Sequence, residues 1–84
     1  MACAKALGWE VWWTHDSRHS PKGWPDLVLA RPPRLLFREL KAGRGKLTEA
    51  QADCLGSLRR CGLDAAIWHE RDWLSGAIEA ELRA

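Results

Sequence analysis

Two carboxylates and an amine stand apart from the other charges of this chain: Asp26, then Glu39 thirteen residues later, then Lys41 after one apolar residue. Both acids lie in a basic stretch. Between Arg18 and Lys46 there are eight basic residues, Arg18, Lys22, Arg31, Arg34, Arg38, Lys41, Arg44 and Lys46, and the only acids are Asp26 and Glu39. Carboxylates held side by side repel and raise one another's proton affinity, so such a pair calls for a cation between them. Hard oxygen donors favour Mg²⁺ or Mn²⁺, and a site with one or two carboxylates and open water positions is how Mg²⁺ is usually held beside a phosphate. A lysine nearby can orient or help deprotonate an attacking water and offset charge developing at phosphorus. These are the parts of phosphodiester hydrolysis. On spacing alone, an acid followed by Glu-x-Lys is common and usually marks a surface ion pair. Here the pattern follows Pro25, falls on predicted strands and sits in a field of positive charge.

The elements that must position these groups can be read from periodicity. Ala2 to Leu7 reads as a helix end stopped by Gly8. Glu10 to His15 reads as a strand, with Val11 and Trp13 on one face and Trp12 and Thr14 on the other. Asp16 to Pro25 has no apolar period and reads as an exposed loop. Asp26 to Ala30 and Leu35 to Lys41 are two strands joined by a four-residue loop, Arg31 to Arg34. Centring the hairpin between Pro32 and Pro33 pairs Ala30 with Leu35, Val28 with Phe37 and Asp26 with Glu39. Directly opposed side chains share a face about 5 Å apart, and Lys41 joins them from two residues along the strand. A slip of one residue would send Asp26 to the other face.

Thr48 opens a helix, with Gln51 in the capping-box position. Leu55, Leu58 and Cys61 recur at helical spacing before Gly62. Ala65 to Trp68 reads as a buried strand, and Asp72 as the cap of a last helix from Trp73 to about Leu82. The predicted order is αβββαβα, an α/β fold with a small mixed central sheet flanked by helices.

With 84 residues the chain has room for one domain, residues 1–84, and one working site. A chain this small buries only about 60 to 65% of its unfolded surface, so a partner subunit would help. The six tryptophans are expected mostly in the core. No apolar run is long enough to span a bilayer and no secretion signal opens the chain, which points to a cytoplasmic protein. The three cysteines, Cys3, Cys54 and Cys61, are expected as reduced core thiols, Cys54 and Cys61 on one helical face. A zinc site with His69 as a further ligand is the weaker reading. Net charge is only +2, but the central third carries nearly all the excess positive charge, which suits a polyanion.

Taken together, Gly23-Trp24-Pro25-Asp26-Leu27, Glu39-Leu40-Lys41, Gly45-Lys46-Leu47-Thr48 with Gln51, Trp68 and Asp72-Trp73 resemble a known family. It is the virus-type replication-repair nuclease module, VRR-NUC, of the PD-(D/E)xK superfamily, in its stand-alone phage form. The resemblance runs from about Leu7 to Ile78. It implies a restriction-endonuclease-like fold, with Asp26, Glu39 and the Leu40 carbonyl as metal ligands and Lys41 as the catalytic lysine. It also implies a DNA substrate, and the stand-alone members resemble homodimeric Holliday-junction resolvases that act on four-way junctions. A phage-encoded member would work in the cytoplasm of a bacterial host. Two features depart from the pattern. Family members usually carry a longer first helix that supplies a further acid, for which Glu10, at the strand entrance, is a poor substitute. His69-Glu70 stands where Arg-Pro is more typical.

Gln51 has two readings, a capping residue or a catalytic neighbour of the carboxylates. Arg18, His19 and Lys22, with Arg44 and Lys46, are placed to grip backbone phosphates, and Trp24 to stack on a splayed base or shield the metal edge. The expected activity is that of a Mg²⁺- or Mn²⁺-dependent, structure-selective DNA endonuclease acting as a homodimer. The alternatives are a DNA-binding module of the same fold with impaired catalysis, and an RNA-processing enzyme of the same superfamily.

Overall fold

Alternating apolar positions and turn residues give four strands and four helices in the computed structural model, which describes residues 1–14 and 21–84. The elements are α1 (Ala2–Ala6), β1 (Glu10–Trp13), β2 (Leu27–Arg31), β3 (Arg34–Lys41), α2 (Glu49–Arg60), β4 (Asp64–His69), α3 (Glu70–Leu74) and α4 (Ala77–Arg83). The sheet runs β1-β2-β3-β4, with β1–β2 and β2–β3 antiparallel and β3–β4 parallel. A parallel neighbour needs a crossover, and α2 supplies it.

The hairpin has the expected register: Ala30 opposes Leu35 and Val28 opposes Phe37. Its turn is tighter than expected. Arg31 pairs with Arg34 and extends both strands, leaving two residues, Pro32 and Pro33, in the connection. The two arginines have a packing role that favours this. Their guanidinium carbons lie 4.7 and 4.9 Å from the Trp9 ring centroid. Arg31 donates to the carbonyls of Leu7 and Ala84, and Arg34 to those of Glu81 and Ala84.

Alternation along β3 divides the interior into two cores. On one face Leu36 joins Ala4, Trp9, Leu27, Leu29, Trp68, Ile78 and Leu82 beneath α1 and α4. On the other Phe37 joins Leu55 of α2 and Ala65, with Trp24, Val28, Leu58 and Ile67 at their margin. The second face carries Glu39 and Lys41 onward from Phe37.

Several expectations are corrected. The last helix is two, because Gly76, at φ 82°, breaks the run between α3 and α4. Asp72 lies inside α3, where its carboxylate accepts from the His69 N–H at 2.8 Å, instead of capping a helix that begins after it. Trp9 and Trp68 are core residues, but Trp12 and Trp13 are exposed because β1 is an edge strand, and Trp73 is exposed on α3. The cysteines are unpaired thiols, but Cys61 is exposed at the C-terminal cap of α2, and Cys3 and Cys54 are only half-buried. Among the described residues no helix is long and apolar enough to cross a membrane.

Arg38 also departs from the reading of a solvated basic segment. It is 2% exposed, donates to Asp64 Oδ1 at 2.9 Å and Glu81 Oε1 at 2.5 Å, and stacks 5.4 Å from the Trp68 ring centroid. Removing the guanidinium leaves two acids without their cation and a gap beside Trp68. Arg38→Ala is therefore expected to lower the unfolding free energy by about 2–4 kcal/mol in urea titration. Arg38→Met, which refills the volume, should recover a substantial part of that loss, because Asp64 and Glu81 retain access to water. A change below about 0.5 kcal/mol for the alanine variant would rule out this role.

Candidate metal and phosphate site

Asp26 lies immediately before β2, and continuing the hairpin register by one pair sets it against Glu39. Three contacts fix it there. Its Oδ2 accepts from the Leu40 N–H at 2.9 Å. Its carbonyl accepts from the Thr14 N–H at 2.9 Å, and the Thr14 hydroxyl donates to the Pro25 carbonyl. The end of β1 thereby holds the Pro25-Asp26 segment beside β3.

The segment is also pressed onto α2 at Gly23. A Cβ on this residue would stand 2.4 Å from the Ala50 carbonyl oxygen and 2.9 Å from the Gln51 nitrogen, and its φ of +86° is left-handed. Only glycine meets both conditions without displacing backbone. Its position three residues before the acid suggests only a turn in the sequence; the close approach to α2 becomes visible in the fold.

Glu39 is 2% exposed. Its Oε1 accepts from Gln51 Nε2 at 3.1 Å and lies 3.8 Å from Lys41 Nζ, but its buried Oε2 meets no donor. Its pKa is raised from 4.5 to about 7, first by burial, then by the Asp26 carboxyl, with Lys41 pulling the other way. The unpartnered Oε2 and the neighbouring Asp26 express one fact. The two carboxyl groups are neighbours, and a proton or a cation between them would remove their repulsion.

Gln51 makes both sets of contacts considered for it, to the helix cap and to the residues around the carboxylates. Its backbone N–H donates to Thr48 Oγ1 at 3.1 Å, and its Oε1 accepts from the Thr48 N–H at 2.9 Å, closing a capping box. The same Oε1 accepts from Lys41 Nζ at 2.9 Å, while Nε2 reaches Glu39. The helix cap thus orients the amide that links the lysine to the carboxylate.

The structure brings Asp26, Glu39, Leu40, Lys41 and Gln51 together. Leu40 is linked to Asp26 through its N–H. Lys22, Arg44 and Lys46 are exposed on the segments leading to the site. Trp24 packs edge-on against Phe37, ring centroids 5.8 Å apart, so its ring is committed at least partly to the core beneath α2. Arg18, His19 and His15 lie outside the described residues. Glu10, paired with Ala30, is at the far end of β1 from the site. Among the described residues no group of three or more His, Cys, Asp or Glu side chains is placed to hold a metal, whether around the Asp26–Glu39 pair or around cysteines and His69.

The donor set fits a hard divalent cation: two adjacent carboxylates, one with a buried oxygen lacking any hydrogen-bond partner. Without metal, the raised pKa of Glu39 has a direct consequence for stability. Below about pH 4.5 the group is protonated in both folded and unfolded states. Between about 4.5 and 7 the unfolded state releases the proton while the folded state retains it, so stability falls as pH rises, and above about 7 the penalty is constant. In chelator, Glu39→Gln should therefore be more stable than the unmodified protein at pH 8 by on the order of 2–3 kcal/mol, with the difference vanishing near pH 4. Urea unfolding at the two pH values measures it, and an equal difference at both would show that Glu39 does not titrate in this way.

Neither the curated proteins nor the solved structures give a match to this chain. The model of the VRR-NUC domain family matches residues 1–72 of the 84. That span contains both carboxylates, Lys41, the capped start of α2 and Asp72, and the chain belongs to the VRR-NUC family of nuclease domains, whose function is nucleolytic DNA processing.

Proposed function

We propose that this chain is a divalent-metal-dependent endonuclease that hydrolyses phosphodiester bonds in branched DNA. Asp26, Glu39 and the Leu40 carbonyl would hold Mg²⁺ or Mn²⁺, and a metal bound there supplies Lewis-acid stabilisation of phosphoryl oxygen charge. The observation that carries the reading is the Glu39 Oε2 atom, buried without a donor beside a second carboxyl.

The remaining chemistry falls to residues of the chain. Lys41 Nζ, held by Gln51 at 2.9 Å, presents an ammonium to the attacked phosphate and offsets the charge that develops on it. Gln51 keeps the amine from collapsing onto Glu39, from which it stands 3.8 Å away. Glu39 is charged in the working state, so catalysis should rise with pH as its carboxyl, raised to about 7 by burial, loses its proton. Lys22, Arg44 and Lys46 are proposed to bind backbone phosphates, with Arg18, His19 and Trp24 at the same mouth. The family resemblance further supports a restriction-endonuclease-like fold for residues 1–84. It also supports a homodimer, in which two sites could meet two strands of a four-way junction.

One observation favours a second reading, a DNA-binding module with impaired catalysis. Among the described residues no third acid joins Asp26 and Glu39, and α1 carries no acidic residue. The two readings separate in one gel assay of junction, flap, duplex and single-stranded DNA with Mg²⁺, Mn²⁺ or chelator. The nuclease reading predicts cleavage with metal and none in chelator. Lys41→Ala should reduce the rate by about 10²–10⁴-fold while leaving junction affinity within a fewfold. Cleavage in chelator would exclude the metal mechanism, and binding without cleavage under every condition would establish the impaired module.

A further inference from the structure

Lys41 borders a second feature that the hydrolytic site does not use. At the C-terminal ends of β3 and β4 lies a pocket of about 330 Å³ lined by Leu40, Lys41, Ala42, Trp68, Glu70 and Trp73. Trp68 and Trp73 meet edge to face, ring centroids 6.2 Å apart at 69°. Trp68 is 4% exposed, yet its indole N–H is buried without a hydrogen-bond partner. Trp73 is 42% exposed, and Leu74 beside it is 82% exposed. An orphaned buried donor and an uncovered aromatic face are both costly in water, and a ligand that satisfied both would offset them together.

The lining selects the chemistry of that ligand. An indole face accepts a flat ring system, and stacking on it is tolerant of ring identity. Trp68 lines this pocket and its buried N–H has no partner, so a ring nitrogen or carbonyl that reached it would be favoured. Glu70 carries a negative charge at the wall and is held by the Gly43 N–H at 3.3 Å. That charge opposes a phosphate in the pocket but accepts from amino or imino N–H groups. Nucleobases combine a flat ring, edge acceptors and N–H donors. The volume, at the lower end of those that hold small ligands, suits one base.

We propose that the Trp68–Trp73 pocket receives a single unstacked base of the DNA whose adjacent phosphate lies at Lys41. The substrates are then DNA structures carrying an unpaired nucleotide next to the cut, and the fully paired duplex is discriminated against because its base must first be flipped out. This rests on the hydrolytic reading for the position of the phosphate, since Lys41 is the wall common to both sites. Trp73 is a specificity-determining residue in this scheme and takes no part in bond cleavage.

The test is a binding titration in chelator, so that no hydrolysis occurs. Two duplexes differ only in one unpaired 2-aminopurine nucleotide, which is paired in the control, and free 2-aminopurine deoxynucleoside monophosphate serves as a third ligand. The unmodified protein should bind the unpaired duplex more tightly than the paired one and change the emission of its 2-aminopurine. Trp73→Ala should weaken binding of the unpaired duplex by about tenfold and of the paired duplex by less than about twofold, whereas Trp73→Phe should stay within about threefold on both. Retained affinity for the paired duplex shows that the variant is folded.

Equal losses on both duplexes would overturn the proposal. So would an unmodified protein that shows neither preference nor emission change, or a free mononucleotide bound as tightly as the unpaired duplex. A failure of the nuclease reading is separate: it would appear as absence of cleavage with Mn²⁺ while the binding difference persisted.

Discussion

The site is organised around a forced contact between two carboxylates. Asp26 and Glu39 are far apart in the chain, but the β2–β3 register leaves them opposed, and the second is buried. Burial and mutual repulsion both act against ionisation, which raises the Glu39 pKa to about 7. Unless function required it, an apolar pair at these positions would stabilise the domain better. The strain is local, and a divalent cation would relieve it by providing the charge that neither Lys41 nor Gln51 provides to Glu39 Oε2.

Much of the remaining structure keeps that contact from relaxing. Thr14 holds the backbone of Pro25 and Asp26 from the side of β1, and the Leu40 N–H holds the Asp26 carboxylate from β3. Gly23 brings the same segment within contact of the first turn of α2, where Gln51 links the helix cap to Lys41 and Glu39. On the opposite face Arg38 ties β3 to β4 and α4, so that the strand presenting Glu39 and Lys41 is anchored from behind. A buried guanidinium is a costly anchor, but with two acids and an indole around it the charge is compensated.

The hairpin was legible in the sequence because a two-residue period and a Pro-Pro turn leave few alternative registers, and register alone opposes Asp26 to Glu39. The capping box at Thr48 and Gln51 was legible for the same local reason. Less legible were features set by tertiary partners. Arg31, Arg34 and Arg38 counted as part of a polyanion-binding stretch, yet Trp9, the C-terminal carbonyls and a pair of acids take them for the fold. The exposure of Trp12, Trp13 and Cys61 follows from which strand is at the edge and where α2 ends, neither of which composition encodes. The two readings of Gln51 looked exclusive only because local spacing cannot show a side chain serving its own helix cap and a neighbouring strand together.

Anomalous diffraction from crystals soaked in Mn²⁺ would show whether Asp26 and Glu39 share one divalent ion. A single-site peak is expected, with a carboxylate oxygen of each residue within roughly 2.0–2.6 Å. A peak elsewhere, or a Mn²⁺-soaked structure in which Glu39 Oε2 remains without a partner and no ion lies between it and Asp26, would contradict this.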